Sequence, residues 1–166
     1  MESNVPSLVL RPLEPRIFDG GEMRLELIAF AQHSIHLVPA YHFRMVDCRS
    51  GATAGKINLR LGWNDNLLYF AGHVGYEVEE AYRGKGFASR SLLLLKPLAA
   101  RHGYKELWIT CDPENFASRR SCEKAGATFM DVVDVPEGTK LYELGIRRKC
   151  RYKLVVSAEQ TATDGD

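Results

Sequence analysis

The run Arg83-Gly84-Lys85-Gly86, followed by Phe87-Ala88-Ser89, concentrates more potential chemistry than any other stretch of the chain. Two glycines one residue apart let the backbone come close to a ligand. If a helix starts at Phe87, its first amides and the positive end of its dipole converge on one spot, where an anion fits, above all a pyrophosphate. Arg83 and Lys85 add charge and Ser89 a hydroxyl in the first turn. An ordinary turn with two solvated cations has the same residues, and the turn alone leaves both readings open. Known phosphate loops fit poorly. A Walker loop closes on Lys followed by Ser or Thr, which is absent here. A dinucleotide fingerprint needs a third glycine where this chain has Ser89, and the turn sits late in the sequence.

Elements on both sides must position this turn. Residues 73–79 alternate, with Val74, Tyr76 and Val78 toward one face and His73, Gly75, Glu77 and Glu79 toward the other, the period of a strand. Residues 87–102 carry Leu92, Leu95, Leu98 and Ala99 at helical spacing; Pro97 should kink this helix and Gly103 stop it. The apolar run 107–111 reads as a strand buried on both faces. Asn115, a favoured cap, opens a helix over 116–125 that Gly126 ends. Upstream, residues 8–10 read as a short first strand, about 22–32 as a helix carrying Met23, Leu27, Ile28 and Phe30, and 41–47 with 56–61 as an antiparallel hairpin. Residues 67–70 fit a helical turn or a strand end equally. Residues 131–135 and 148–156 read as two last strands around Pro136-Glu137-Gly138, and the polar segment 157–166 as a disordered tail.

The composition bounds what these elements can do. A chain of 166 residues with 45% hydrophobic and 26% charged residues suits one domain, here 1–156, with an ample core. Lys+Arg 22 against Asp+Glu 21 leaves a net charge of +1, no bulk field to gather nucleic acid or an anionic membrane. The longest aliphatic run, Leu92 to Leu95, is far short of the ~20 apolar residues of a bilayer span. No basic start and apolar core of a secretion signal precede it, so a cytoplasmic location is expected. Cys48, Cys111, Cys122 and Cys150 form neither a C-x-x-C pair nor a zinc spacing with the five histidines, and read as reduced thiols; their even count leaves a secreted, bridged chain as the alternative.

The pattern Arg83-x-x-Gly86-x-Ala88 after a strand, with a second strand leading to Asn115 and a helix, resembles the signature of the GNAT acetyltransferase superfamily. Gly72-His73-Val74-Gly75-Tyr76, Ile109-Thr110-Cys111-Asp112 with Asn115-x-x-Ser118, and Glu123-Lys124-x-Gly126 are similar to its corresponding parts. Asn64-Asp65-Asn66-Leu67 and Arg151-Tyr152 resemble a subgroup known mainly as predicted acetyltransferases. The resemblance covers roughly residues 57–154. It implies an α/β fold with a mixed, mostly antiparallel sheet flanked by helices and a splayed strand pair. It further implies acetyl-CoA as cosubstrate and N-acetyl transfer to a primary amine by direct attack in a ternary complex. Arg83, Gly84, Lys85, Gly86, Phe87 and Ala88 would hold the pyrophosphate through the backbone, with Ser89 helping. The edge at Tyr76-Glu77-Val78 would pair with the pantetheine arm as an added strand. A backbone N–H near Val78 would stabilise the oxyanion, and Asn115 and Ser118 would bind the far side of the arm. The acceptor would be an amine of a small molecule or a protein, with no nucleic acid or membrane partner; homodimers are common in folds of this kind.

Two positions depart from the superfamily. Many members carry a glutamate as base on the strand before the pantetheine-binding segment, where this chain has Gly72. Glu77 or His73, acting through water, are the candidates left. The usual tyrosine acid on the helix after Asn115 falls on Cys122, which could donate a proton itself or simply pack in the core. These departures favour the alternative of a CoA-binding sensor or interaction domain without turnover. Trp63, Trp108, Tyr41, Tyr69 and Phe70 read as core aromatics, some of which could line an acceptor cleft.

Overall fold

A computed structural model describes residues 5–14 and 18–156, so the tail expected at 157–166 lies outside the described residues. Five strands follow one another in a single antiparallel sheet: β1 (Phe18–Asp19), β2 (Met23–Gln32), β3 (Pro39–Asp47), β4 (Thr53–Arg60) and β5 (Val74–Val78). A second sheet contains β6 (Glu106–Cys111), β7 (Thr128–Asp134) and β8 (Arg148–Val155), with β8 in the middle. Helix α1 (Phe87–Arg101) crosses from one sheet to the other, α2 (Phe116–Lys124) joins β6 to β7, and the single turn α3 (Lys140–Glu143) precedes β8. This is the expected architecture of antiparallel sheet flanked by helices, divided into two sheets whose ladders are all antiparallel.

The helix expected at 22–32 is a strand. Met23 and Leu25 alternate with Arg24 and Glu26, and the first pair is buried while the second faces out. Glu26 accepts from both Arg24 and the cross-strand Arg44, so the period of two is satisfied on both faces. A bulge between Leu27 and Ala29 breaks the alternation, which is why the apolar residues beyond it mimic a helical spacing. Residues 8–10 form no strand; Val9 bonds instead to the end of α1, its N–H to the His102 carbonyl at 2.9 Å and its carbonyl to His102 Nδ1 at 2.6 Å.

One face of the large sheet, with Tyr41, Phe43, Met45, Ile57, Leu59 and Val74, packs on Leu92, Leu95, Leu98 and Ala99 of α1. Each such leucine contributes about 1.5–3 kcal/mol by leaving water. Pro97 lies inside α1, which runs on through it. Strand β6 buries only its Leu107, Ile109 and Cys111 face fully; Trp108 and Thr110 are half-covered by a π-helical turn, Asn66–Ala71, to which Thr110 donates at 2.8 Å. That turn decides the ambiguity at 67–70 in favour of a helical form.

The two sheets meet where β5 and β6 begin to part. The His73 N–H bonds to the Trp108 carbonyl at 2.7 Å, and the Trp108 N–H returns to His73 Nδ1 at 2.9 Å. Gly72 makes the approach feasible: at φ 74°, a side chain there would stand 2.9 Å from the Trp108 oxygen and 3.0 Å from the Thr110 nitrogen. Beyond this junction no ladder joins β5 to β6, and the gap between them opens into a cleft. No described helix is long and apolar enough to cross a membrane.

Candidate functional site

The glycine turn forms the outer end of the cleft. Gly84 (φ 77°) and Gly86 (φ 81°) both adopt the left-handed conformation, and Gly86 caps α1 without any side-chain bond. The first-turn amides of Phe87, Ala88 and Ser89 therefore lack carbonyl partners within the helix and lie at its positive end. Ser89 Oγ donates to the Gly86 carbonyl at 3.1 Å. The turn faces α2 across a cavity of about 380 Å³ lined by Arg83, Gly84, Gly86, Phe87, Ala88 and Ser89. From α2, Ala117, Arg120, Ser121 and Lys124 close the opposite wall. Lys85 turns away, stacks over Tyr82 at 5.5 Å, and lines a neighbouring hollow with Arg49 and Arg90, so its charge borders the turn and lies outside the main cavity.

Further in, β5 supplies one wall and α2 the other. Because Glu79 N–H bonds to Ala54 of β4, the alternation of a strand turns the backbone groups of Val78 and Tyr76 away from β4 and toward the cleft. The Val78 carbonyl there accepts from Arg83 Nε at 3.2 Å. Asn115 Oδ1 accepts from the Ser118 N–H at 3.1 Å, and both residues line this stretch with Tyr76, Glu77 and Val78. The cap and the cleft-lining position coincide in Asn115.

Tyr76 spans the floor. Its Oη lies 2.6 Å from Ser118 Oγ and 3.6 Å from Cys122 Sγ. Burial holds the phenol well above its ordinary pKa, and burial pushes the Cys122 thiol up to about 12, so both remain protonated at neutral pH. Past Tyr76 and Ser118 the cleft continues between the sheets into a cavity of about 240 Å³. His36, Arg60, Gly75, Thr110, Cys111 and Lys149 line this inner end.

The structure thus gathers Tyr76, Glu77, Val78, Arg83, Gly84, Gly86, Phe87, Ala88, Ser89, Asn115 and Ser118 around one cleft. It does not gather His73 or Cys122 there. His73 is fully buried between Trp63 and Tyr104, and its Nδ1 lone pair is committed to the Trp108 N–H. The remaining nitrogen then carries the proton, and burial lowers the pKa to about 3, so this ring fastens β5 to β6 and is no base for the cleft. Cys122 is likewise fully buried, behind the Tyr76 hydroxyl. The sequence reading missed the α2 wall, although 117, 120, 121 and 124 have the spacing of one helix face. It also missed Arg60 and His36, for which no local signal exists. All four cysteines are unbridged, and no group of His, Cys, Asp or Glu among the described residues is placed to hold a metal.

Solved acetyltransferases share this architecture. The chain aligns with the ribosomal-protein-S5-alanine acetyltransferase of Vibrio fischeri at TM-score 0.59 and 14% identity, over 86% of this chain and 98% of that one. The microcin C7 self-immunity acetyltransferase MccE, in complex with acetyl-CoA and AMP, aligns at TM-score 0.54 and 19% identity over 70% of this chain and 62% of its own. The ribosomal alpha-N-protein acetyltransferase RimL, in complex with coenzyme A, gives 0.54 and 22% over 70% and 62%. The chain spans less than two thirds of the latter two. No curated protein matches by sequence. The sequence model of the acetyltransferase (GNAT) domain matches residues 22–128, from β2 through both walls of the cleft to the start of β7, and the chain belongs to that family.

Proposed function

We propose that the chain transfers the acetyl group of acetyl-CoA to a primary amine by direct attack in a ternary complex. The cleft carries this reading: amides and cations at its outer end, an open strand edge along its wall, and hydroxyls at the passage to a second cavity. The same cosubstrate occupies the similar MccE structure. The Phe87, Ala88 and Ser89 amides hold the pyrophosphate, with Arg83, Arg120 and Lys124 neutralising it. The β5 edge pairs with the pantetheine arm, Asn115 and Ser118 close on its other side, and the Val78 N–H faces the developing oxyanion.

The amine must be neutral to attack, whereas a lysine amine has a pKa of ~10.4 and an α-amine ~8. Glu77, the carboxylate on the cleft wall, takes that proton through water. The departing thiol has a pKa of ~8.5 and leaves largely as thiolate; the paired hydroxyls of Tyr76 and Ser118 offer it a hydrogen bond, and the proton taken from the amine restores the thiol through solvent. Tyr76 so takes the place expected of Cys122, from the opposite wall. The test is thiol release from acetyl-CoA with a panel of amines. Release that depends on the amine, and acetylated product by mass, supports the transferase; binding without release from any amine favours the sensor reading, to which the missing glutamate at Gly72 lends weight.

A further inference from the structure

The inner cavity holds a cation with more than half of its hydrogen-bonding capacity unused. Arg60, at the end of β4, is only 7% exposed. Its Nη1 donates to the carbonyls of Ala71 at 2.7 Å and Gly72 at 3.1 Å, which tethers one side of the guanidinium to the backbone before β5. The other edge has no partner: Nε is buried without a hydrogen bond and Nη2 makes none. Among the described residues no carboxylate forms an ion pair with Arg60; Lys149 and Asp112, which both line the cavity, pair with each other at 3.5 Å. A buried charge left unpaired is strongly unfavourable. Burial lowers the Arg60 pKa to about 10, which still leaves it cationic at neutral pH.

The surroundings preserve this open edge. Any side chain at Gly75 would collide with Nη2, so the glycine of β5 gives the guanidinium its place. Across the cavity His36 accepts from Asn66 at its Nδ1 at 3.2 Å and is neutral, its pKa lowered to about 4 chiefly by burial, so its other nitrogen is a donor. With Nε closed off from the cavity, Nη2 is the unclaimed donor that a carboxylate oxygen can meet, in a charge-assisted hydrogen bond.

We infer that Arg60 is the carboxylate-binding residue of the acceptor site, and that the acceptor is a small amino carboxylate. At about 240 Å³ the cavity lies below the ~300–1,000 Å³ of drug-sized pockets, as suits such a molecule. The word acceptor rests on the transferase reading; the binding of a carboxylate does not.

The test compares free α-, β- and γ-amino acids with their carboxamides, which differ only in the charged group. Each is titrated calorimetrically into CoA-saturated protein and offered as acceptor in thiol release. At least one amino acid is expected to bind roughly ten- to a hundredfold tighter than its amide. Arg60→Lys, whose single ammonium group would be taken up by the Ala71 and Gly72 carbonyls, should reduce that preference to below about threefold while CoA affinity persists. No discrimination in the native protein, or discrimination that survives Arg60→Lys, overturns the inference. If the variant does not fold, the native acid-against-amide comparison decides alone. Carboxylate binding without thiol release would keep the site and sink the transferase; release from simple amines with no carboxylate preference would do the reverse.

Discussion

The two ends of the cleft are built from different materials. The outer end is made of backbone: left-handed glycines at 84 and 86, first-turn amides of α1 and the edge of β5. The inner end is made of side chains brought from β4, the loop after β2 and β6, namely Arg60, His36 and Thr110, with Gly75 of β5 leaving them room. Backbone recognition suits a ligand whose phosphates and amide-bearing arm repeat from enzyme to enzyme, because it depends on chain path and only weakly on residue identity. Side-chain recognition suits an acceptor peculiar to one protein.

Changes that respect this division should separate the ends. Gly86→Glu forces a side chain into the left-handed region and sets a carboxylate at the proposed phosphate site; calorimetry should show CoA affinity lowered at least a thousandfold, with amino-carboxylate binding retained. Gly72→Glu restores the residue that many superfamily members carry, but its side chain meets the β6 backbone at 2.9 Å. Denaturant unfolding should record a loss of about 3–4 kcal/mol, a loss at the hinge shared by both ends.

The hinge is also acid-sensitive. His73 titrates at about 3 and His33 and His36 at about 4 in the fold, all below the ordinary 6.5. The unfolded chain binds their protons first, so stability is complete above pH 6.5 and declines as pH falls toward 3, chiefly through the fully buried His73. His73→Asn, whose Oδ1 can still accept from Trp108, should flatten the lower part of that decline in melting experiments. At the boundary of the two ends, Tyr76→Phe should lower kcat about tenfold with little change in the KM of either substrate. Asn115→Ala should cost about 1 kcal/mol of stability through the lost cap and raise the acetyl-CoA KM a few-fold without touching the amine.

How legible each end was in the sequence follows from its construction. The glycine spacing, the alternation over 74–78 and the cap at Asn115 are local patterns, and the structure places them at one cleft with their partners. The strand β2 was misread because a bulge after Leu27 breaks its alternation. His73 was expected on an exposed face beside Glu77, yet it marks the point where β5 leaves its neighbour β6, and a junction between sheets buries both faces. Tyr76 stands where the sequence put a cofactor contact, but its hydroxyl crosses to Ser118 and Cys122, 42 and 46 residues away in the chain. Arg60 and Gly75 acquire meaning only through each other, across a register that a single sequence does not display.

The central claim is that the outer end of this cleft is a CoA site. Calorimetric titration of the protein with acetyl-CoA, with NAD as the control dinucleotide, addresses it most directly. The account predicts saturable binding of acetyl-CoA that Gly86→Glu removes, and no binding of NAD. Absence of acetyl-CoA binding to the folded native protein, or binding indifferent to Gly86→Glu, would contradict it.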